Sequence, residues 1–312
     1  MSIAIPKFNN NNTSKVLVNR VSSFNGRYLT PQIYFPQKIL DKPTNTRLES
    51  LDPRDWLRDY FLFAPSKKIS EVKLKEGVKL EEVFINTQDG EKLHGYFMPA
   101  SVRVGSVRVG LKPTPNKVIL YLHGNDENVS RWYLGPANLQ EHISVNALIM
   151  DYRGYGKSTG SPSGQGVIKD ALAMYKYLID KGYKPDDISL YGRSLGGAVA
   201  LELATRVKVK SVIIQSSFTS LRDLMKFQYP SVPSFLMKNN LFNSQENIKK
   251  IKVPVLISHG TDDDIVPVHH GNELYKAANT PKELIVLKGA GHKHLKSFFT
   301  EEYFQALKRL LL

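Results

Sequence analysis

A serine in a glycine-flanked pentapeptide is the residue of this sequence best suited to covalent chemistry. Ser194 is the centre of Gly192-Arg-Ser-Leu-Gly196, which a β-prone run from Ile188 precedes and a helix-forming run through Ala204 follows. This order of strand, sharp turn and helix is typical of a nucleophile elbow, where flanking glycines avoid a clash between strand and helix. The first amides of the helix would then face any negative charge that develops at the serine.

A second segment with the same spacing provides an internal comparison. Gly156-Lys-Ser-Thr-Gly160 also fits the pattern, but Gly, Ser and Pro continue through Gly166, which predicts a loop at Ser158. A phosphate-binding P-loop is disfavoured there, because the first glycine of that motif would fall at Asp151. The pentapeptide alone is weak evidence, and the helix predicted after Ser194 is what distinguishes the two segments.

A serine hydroxyl is a poor nucleophile unless a base activates it, and a carboxylate must orient that base. The chain has eight histidines, of which His292 is the preferred base. It stands in Gly289-Ala-Gly-His292, directly after the last predicted strand, where two glycines allow a loop to bring the imidazole to the serine. His294 is the second choice, because a predicted helix begins near Leu295. His94 and His142 are predicted to be structural or surface residues. His269 and His270 begin a predicted helix region, where either could be an exposed polar residue.

The carboxylate is also expected at the end of a strand. Asp262, Asp263 and Asp264 follow the predicted strand that ends at Ile257, and the residues alone leave open which of the three orients the base. Three nearby histidines would suit a cation: His259, His269 and His270. Because their spacing matches no loop motif such as the EF-hand, we expect no metal.

The oxyanion of an acyl-transfer reaction needs two preorganised donors, which are usually backbone amides. Leu195, immediately after the nucleophile, is predicted to supply one. The other is predicted to come from Asn125 in the loop His123-Gly124-Asn125-Asp126, which follows the strand-like run from Val118 to Leu122. The glycine leaves this backbone free to turn its amides inward.

The amino-acid composition excludes several kinds of functional site and favours some classes of protein over others. The 312 residues are 41% hydrophobic, enough for a substantial core, and no cysteine is present, which excludes disulfides, thiolate metal sites and cysteine nucleophiles. Neither a signal peptide nor a run of about 18 apolar residues is recognisable, so we expect a soluble cytoplasmic protein. The formal charge is +14, but the basic residues are scattered in twos and threes, which favours solvated surface over a specific nucleic-acid partner.

Apolar runs of strand length alternate with helical segments after Asn116, which predicts a mostly parallel, doubly wound α/β sheet. Two runs around an Asp-Gly turn predict an N-terminal antiparallel hairpin, at Glu82–Thr87 and Leu93–Phe97. Candidate helices cover residues 131–142, 165–181, 195–206, 271–278 and 295–311. Residues 101–110 contain a five-residue unit twice, which we interpret as a surface insertion able to pair as a ribbon.

The domain plan has two parts. Residues 1–80 are predicted to be an N-terminal extension, disordered to about residue 30 and partly packed on the core. Residues 81–312 are predicted to form the main α/β domain, with a small helical cap at 218–250 that two prolines interrupt. The aromatics of the cap are expected mainly to pack against the core, although some could line an acyl pocket: Phe218, Phe227, Tyr229, Phe235 and Phe242.

Several longer strings are more specific than the elbow: Tyr121-Leu-His-Gly-Asn125, Asp151-Tyr-Arg-Gly-Tyr-Gly-Lys-Ser158, Gly192-Arg-Ser-Leu-Gly-Gly-Ala-Val-Ala200 and His259-Gly-Thr-Asp-Asp-Asp-Ile-Val-Pro267. Together they resemble the α/β-hydrolase superfamily over about Glu82 to the C-terminus. Within it they look like the small-capped ABHD-type serine hydrolases, a branch that includes protein depalmitoylases and lipid hydrolases. The resemblance implies the α/β-hydrolase fold, with Ser194 as nucleophile, His292 as base and Asp263 as acid.

The activity that the resemblance implies is cofactor-independent hydrolysis of carboxylic ester or thioester bonds through an acyl-enzyme. The substrate would be a small molecule, a lipid or an acylated protein, and no obligate partner is evident. Depalmitoylases of this branch carry an acylated N-terminal cysteine cluster, which this sequence lacks. Peripheral contact with an anionic membrane would then depend on the basic surface or on the C-terminal segment Ala306–Leu312.

Two other functions are compatible with these residues or with this fold. A serine peptidase or amidase would use the same nucleophile, base and acid, although such relatives usually carry larger accessory domains. A non-catalytic adaptor would keep the fold and bind acidic partners through its charge. Degenerate relatives typically lose a member of the triad, and this sequence retains all three candidates.

Overall fold

The computed structural model describes residues 59, 62–73, 78–100, 116–230, 241–279, 281–293 and 295–312. It describes the backbone alone at 295–296 and in short strands at 16–17, 23–24, 27–28, 32–33, 102–104 and 107–109. Contacts divide the chain into two compact units, residues 1–48 and 49–312. In the first unit, strand 16–17 pairs with 32–33 and strand 23–24 with 27–28, both antiparallel. The tail predicted to be disordered otherwise lies outside the described residues, and the domain boundary near residue 80 stays a prediction.

Eight strands of the second unit form one sheet. They are β1 (Glu81–Asn86), β2 (Lys92–Met98), β3 (Val118–Leu122), β4 (Asn146–Met150), β5 (Ile188–Arg193), β6 (Ser211–Gln215), β7 (Val255–Gly260) and β8 (Lys282–Leu287). Their spatial order is β8-β7-β6-β5-β3-β4-β2-β1. Strand β2 runs antiparallel to both of its neighbours, and every other adjacent pair is parallel. The mostly parallel sheet with an antiparallel start is therefore confirmed.

The turn between β1 and β2 is the Asp-Gly turn that the sequence predicts. Gly90 has a φ of 90°, a conformation that costs glycine little and other residues more. The Thr87 amide donates to the Glu91 carbonyl at 2.8 Å, and the Thr87 hydroxyl donates to Asp89 at 2.6 Å. This closure sets the register in which Val83 lies opposite Gly95.

Helices cover both faces of the sheet. They are α1 (Val129–Trp132), α2 (Leu134–Gln140), α3 (Gly164–Asp180), α4 (Leu195–Ala204), α5 (Leu221–Gln228), α6 (Ser244–Ile248), α7 (His269–Ala277) and α8 (Glu301–Leu311). Strand β3 is buried throughout, and its side chains alternate between the two hydrophobic clusters, with Leu120 packing on the side of α3 and α4 and Ile119 on the side of α8. Burial on both faces explains why the central strands read as continuous apolar runs.

Two of the predicted helices differ from the observed ones. The segment predicted as one helix from Arg131 to His142 is two short helices, which begin earlier because Asn128 caps Val129–Trp132. The segment predicted as one helix from Leu295 forms a 3₁₀ turn at 295–298 before α8. Thr300 caps α8 by accepting the Tyr303 amide at 3.2 Å, so a new helix begins there.

The interval between β6 and β7 contains the two short helices expected of a cap, α5 and α6. Phe218 and Phe242 are buried in the core, whereas Phe227 and Tyr229 are exposed by 50% and 40%. Phe235 lies outside the described residues. Packing onto the core therefore accounts for two of the predicted aromatics, and the function of this segment as a cover for the site stays a prediction.

Residues 62–73 lie against the loops that follow β3 and β4. The Ala64 amide donates to the Asn125 carbonyl at 3.0 Å, and the Gly156 amide donates to the Ser66 carbonyl at 2.9 Å. Asn128 donates to the carbonyls of Ser66 and Lys68. These bonds connect the loops after β3 and β4 to the segment that precedes the sheet.

Two further segments match their sequence interpretation. Ser158 lies in a loop, as predicted, and its hydroxyl accepts the His94 amide at 2.9 Å and donates to the Asp151 carbonyl at 3.1 Å. The repeated units at 102–104 and 107–109 pair as an antiparallel ribbon. Within the part of the chain that the structure describes, no helix is long and apolar enough to cross a membrane.

The close approach of α4 to β3 at Gly196 provides a test of the fold. A Cβ at Gly196 would overlap the carbonyl oxygen of Leu122, so Gly196→Ala must separate α4 from β3. We expect it to lower the free energy of unfolding by about 3 kcal/mol or more, measured by urea denaturation. At Gly182, where φ is 98° and no atom lies within 4 Å of the Cβ position, alanine should cost about 1–2 kcal/mol. Equal losses at the two sites would contradict the steric explanation.

Candidate active site

Ser194 occupies a strained turn between β5 and α4. Its φ of 54° and ψ of −121° lie outside the regions that most residues adopt. The Ser194 amide donates to the Gln215 carbonyl at 2.9 Å, and its carbonyl accepts the Gly197 amide at 3.0 Å and the Ser217 hydroxyl at 2.8 Å. Hydrogen bonds on both sides of the residue hold it in this conformation, which a nucleophile elbow requires.

Ser194, His292 and Asp263 form a continuous chain of hydrogen bonds. The Nε2 atom of His292 lies 3.1 Å from the Ser194 hydroxyl oxygen, and its Nδ1 lies 2.7 Å from the Oδ2 of Asp263. A carboxylate can only accept, so Nδ1 carries the proton in the neutral ring and Nε2 presents its lone pair to the hydroxyl. The arrangement suits transfer of the serine proton to the histidine.

The carboxylate of Asp263 is buried and accepts several hydrogen bonds. Its Oδ1 accepts the amides of Ile265 at 3.1 Å and Val266 at 2.7 Å. Burial by itself would raise the pKa of Asp263, but the imidazoles of His259 and His292 and the Val266 amide outweigh it and hold that pKa well below its usual value. Asp263 therefore stays ionised at neutral pH.

His259 is a residue that the sequence reasoning missed at this site. It was considered only as a metal ligand, yet its Nε2 lies 3.4 Å from Asp263 Oδ2 and donates to the Val266 carbonyl at 2.7 Å. The signal was its position four residues before Asp263, at the end of a buried strand. The structure places it against Oδ2 of Asp263, the same carboxylate oxygen that His292 contacts.

The neighbouring carboxylates point elsewhere. Asp262 and Asp264 are exposed, and Asp262 accepts the Thr261 hydroxyl at 2.7 Å. The sequence leaves open which of the three aspartates orients the base, and the structure places Asp263 beside His292. His294 lies outside the described residues, and among the described ones no group of three histidines or carboxylates has a metal-binding arrangement.

The loop after β3 lies beside the nucleophile. A Cβ at Gly124 would be 3.7 Å from the Ser194 Cβ. The Asn125 carbonyl accepts the Tyr155 hydroxyl at 2.7 Å, and its side chain donates to the Leu62 carbonyl at 3.2 Å, so both groups hold the loop. Within the described part of the chain the amides of Asn125 and Leu195 donate to no backbone carbonyl, and Leu195 is the first residue of α4. Their oxyanion role stays a prediction.

A buried carboxylate behind this loop was also missed. Asp151 Oδ1 accepts the Val129 amide at 2.8 Å, and its two oxygens lie 3.7 Å from ring nitrogens of His94 and His123. Burial lowers the pKa of His123, which keeps that ring neutral, and its Nδ1 donates to the Gly124 carbonyl at 2.7 Å. Asp151 and His123 therefore support the loop that carries the predicted oxyanion donor.

In the described part of the chain, the other histidines considered as candidates make no hydrogen bond to Ser194. His94 is buried and its Nε2 lies 2.9 Å from Glu82, while His142 stacks on Phe304. His270 is buried against Thr219, and burial, with the neighbouring His269 and His259, lowers its pKa to about 4. These contacts agree with the interpretation of His94 and His142 as structural or surface residues. His269 is exposed, as the sequence suggests, but His270 is buried because its ring packs against Thr219.

Comparison with known proteins matches this fold and site to one superfamily. The family described as alpha/beta hydrolase fold matches residues 117–245, and the family described as serine aminopeptidase, S33 matches residues 237–297. Human alpha/beta hydrolase domain-containing protein 17B is 30% identical over 213 residues, which cover 67% of this chain and 71% of that protein. An uncharacterized Mycobacterium tuberculosis protein is 31% identical over 238 residues, covering 74% and 78%.

Solved structures show the same fold. An esterase from Pyrococcus furiosus superposes with a TM-score of 0.62 at 25% identity, covering 80% of this chain and 98% of that one. An alpha-beta hydrolase from Vibrio vulnificus superposes with a TM-score of 0.65 at 22% identity, covering 86% and 98%. The chain belongs to the α/β-hydrolase superfamily. It is a hydrolase, and its homology to the human protein supports the ABHD-type branch.

Separate substitution of the three aspartates distinguishes their functions. Asp263→Asn keeps the size of the side chain but removes the charge that orients His292, so we expect kcat to fall about 10⁴-fold. Asp262→Asn and Asp264→Asn, on exposed side chains, should change kcat less than about twofold. Steady-state hydrolysis of a para-nitrophenyl ester measures all three. Near-full activity in Asp263→Asn would contradict its assignment as the acid.

Proposed function

We propose that this protein is a serine hydrolase that cleaves carboxylic ester or thioester bonds through an acyl-enzyme intermediate. The observation that carries the proposal is the hydrogen-bonded chain from Asp263 through His292 to Ser194. The esterase from Pyrococcus furiosus, which shares the fold at 25% identity, supports an ester substrate. The strained conformation of Ser194 is further support, because it exposes a hydroxyl at the tip of the turn.

The first half of the reaction forms the acyl-enzyme. His292 Nε2 takes the proton of the Ser194 hydroxyl as its oxygen attacks the acyl carbon. The carbonyl oxygen becomes an oxyanion, which the amides of Asn125 and Leu195 bind. When the intermediate collapses, the bond to the alcohol or thiol breaks and the imidazolium returns the proton to that leaving group.

The second half repeats these steps with water. His292 takes a proton from water as the water oxygen attacks the acyl carbon, and the acyl acid leaves as the proton returns to Ser194. Asp263 stabilises the imidazolium in both halves and keeps its own charge, consistent with its depressed pKa. Every proton transfer uses a group of this chain, so the proposed reaction needs no cofactor.

A serine peptidase or amidase is the second candidate. The serine aminopeptidase family matches residues 237–297, a range that includes Asp263 and His292. The same residues would act on an amide, with His292 protonating a departing amine. The difference between the two candidates then lies in the leaving group and in how the substrate is bound.

Covalent labelling with a fluorophosphonate probe tests the nucleophile. We expect wild-type protein to be labelled and Ser194→Ala to lose labelling, with turnover reduced about 10⁶-fold. Ser158→Ala is a matched control, because Ser158 has the same glycine spacing but lies in a loop and makes structural hydrogen bonds. Labelling that survives in Ser194→Ala, or is lost in Ser158→Ala in a folded protein, would contradict the proposal.

Substrate profiling separates the two candidates. We expect Ser194-dependent turnover of para-nitrophenyl esters of short and long acyl chains, or of a palmitoyl thioester, to exceed turnover of aminoacyl arylamides by about 100-fold or more. The order of turnover among acyl lengths would define the acyl site. Preferential cleavage of the arylamides would establish the peptidase instead, and labelling without turnover of any substrate would favour a binding function.

A further inference from the structure

The residue before the nucleophile holds the loop that carries the base. Arg193 ends β5 and is 6% exposed, and its Nη2 donates to the backbone carbonyl of His292. This bond joins the peptide of the base itself to the turn that presents Ser194. It therefore restrains the His292 backbone, whereas the hydrogen bond that His292 donates to Asp263 restrains only the ring.

The same guanidinium lies over the ring of Trp132. The Cζ of Arg193 is 5.4 Å from the centroid of the indole, within the range of a cation–π interaction, for which tryptophan is the best partner. Trp132 in turn contacts the loop after β3 at two points. Its Nε1 donates to the Asp126 carbonyl at 2.9 Å, and a Cβ at Gly124 would lie 2.9 Å from the indole.

In the part of the chain that the structure describes, Arg193 has no carboxylate partner of the kind that a buried arginine usually has. Arg153, which is equally buried, pairs with the carboxylates of Asp89 and Asp170. Among the described residues the Nε of Arg193 has no hydrogen-bond partner, and its guanidinium lies beside the neutral hydroxyl of Tyr121 instead of a carboxylate. A buried cation without a carboxylate is costly to fold, so stability alone gives a weak reason for arginine at this position.

We propose that Arg193 and Trp132 form a positioning pair that fixes the distance between the His292 loop and the Gly124–Asn125 loop on the two sides of Ser194. Neither side chain touches the reacting atoms, so both act through the residues that they hold. The inference rests on the proposed function, because it concerns the geometry of that base and that oxyanion site. A displacement of about 1 Å in such a constellation can cost about 100-fold in rate.

Removing each half of the pair tests the proposal. Arg193→Met keeps the length of the side chain but removes the hydrogen bond and the charge, and Trp132→Leu removes the ring. Each variant should lower kcat by about 10- to 100-fold per active site, counted by end-point fluorophosphonate titration, while KM changes less than about threefold. Counting intact sites matters because a residue needed only for folding would lower the number of sites and leave kcat per site unchanged.

A double variant tests whether the two residues act together. If the pair is one unit, Arg193→Met combined with Trp132→Leu should lower kcat by about as much as the more severe single change. The product of the two single effects would indicate independent residues and contradict the pair. Arg193→Lys retains a cation and a hydrogen-bond donor, so its kcat per site should be higher than that of Arg193→Met, which fills the space with an apolar side chain.

Arg153→Met is the matched control for loss of a buried arginine. Its partners are Asp89, in the turn between β1 and β2, and Asp170, in α3, so we expect a lower melting temperature with unchanged kcat per titrated site. If Arg193→Met does not fold, Trp132→Leu tests the same link, because the indole is only partly buried. Wild-type kcat per site in both variants would overturn the inference, whereas absent labelling in the wild type would overturn the proposed function instead.

Discussion

The close approach of α4 to the ends of β3 and β5 is the constraint on which the rest of the site depends. A side chain at Gly196 would overlap the Leu122 carbonyl, and one at Gly192 would overlap the Gly196 carbonyl. Only with both glycines can the chain reverse sharply enough to place Ser194 at a φ of 54°. That conformation costs about 1–2 kcal/mol, and two hydrogen bonds offset it: the Ser194 amide donates to the Gln215 carbonyl, and the Ser194 carbonyl accepts the Ser217 hydroxyl. The same contact aligns the start of α4 with the loop after β3.

Sheet order then brings distant parts of the chain to one edge. Strands β3 and β5 are neighbours, and β6, β7 and β8 follow in parallel, so the loops at their carboxyl ends open on the same side. Ser194 follows β5, Asp263 follows β7 and His292 follows β8. The separation of nearly a hundred residues between nucleophile and base is irrelevant to their geometry, because the register of the strands sets it.

The sequence predicted the features that depend on local residue types. The elbow, the parallel sheet and the hairpin each have a short signal, and His292 was marked by its glycines. The choice among Asp262, Asp263 and Asp264 stayed open, because it depends on the path of the loop and not on composition. Asp151, His259 and Arg193 were missed because their importance comes from contacts across the fold. The catalytic roles of the predicted residues stay predictions.

The predicted base lies in the loop that follows β8, which bears on when the proposed site is assembled during synthesis. Strand β8 lies at the edge of the sheet and pairs with β7 alone. A nascent chain therefore carries its complete elbow on the ribosome well before residue 292 emerges and β8 docks. In the proposed mechanism Ser194 has no base until then, so a chain whose β8 has not docked is expected to be inactive. Under the proposed function, activity therefore requires the docking of β8 onto β7 and not only the formation of the elbow.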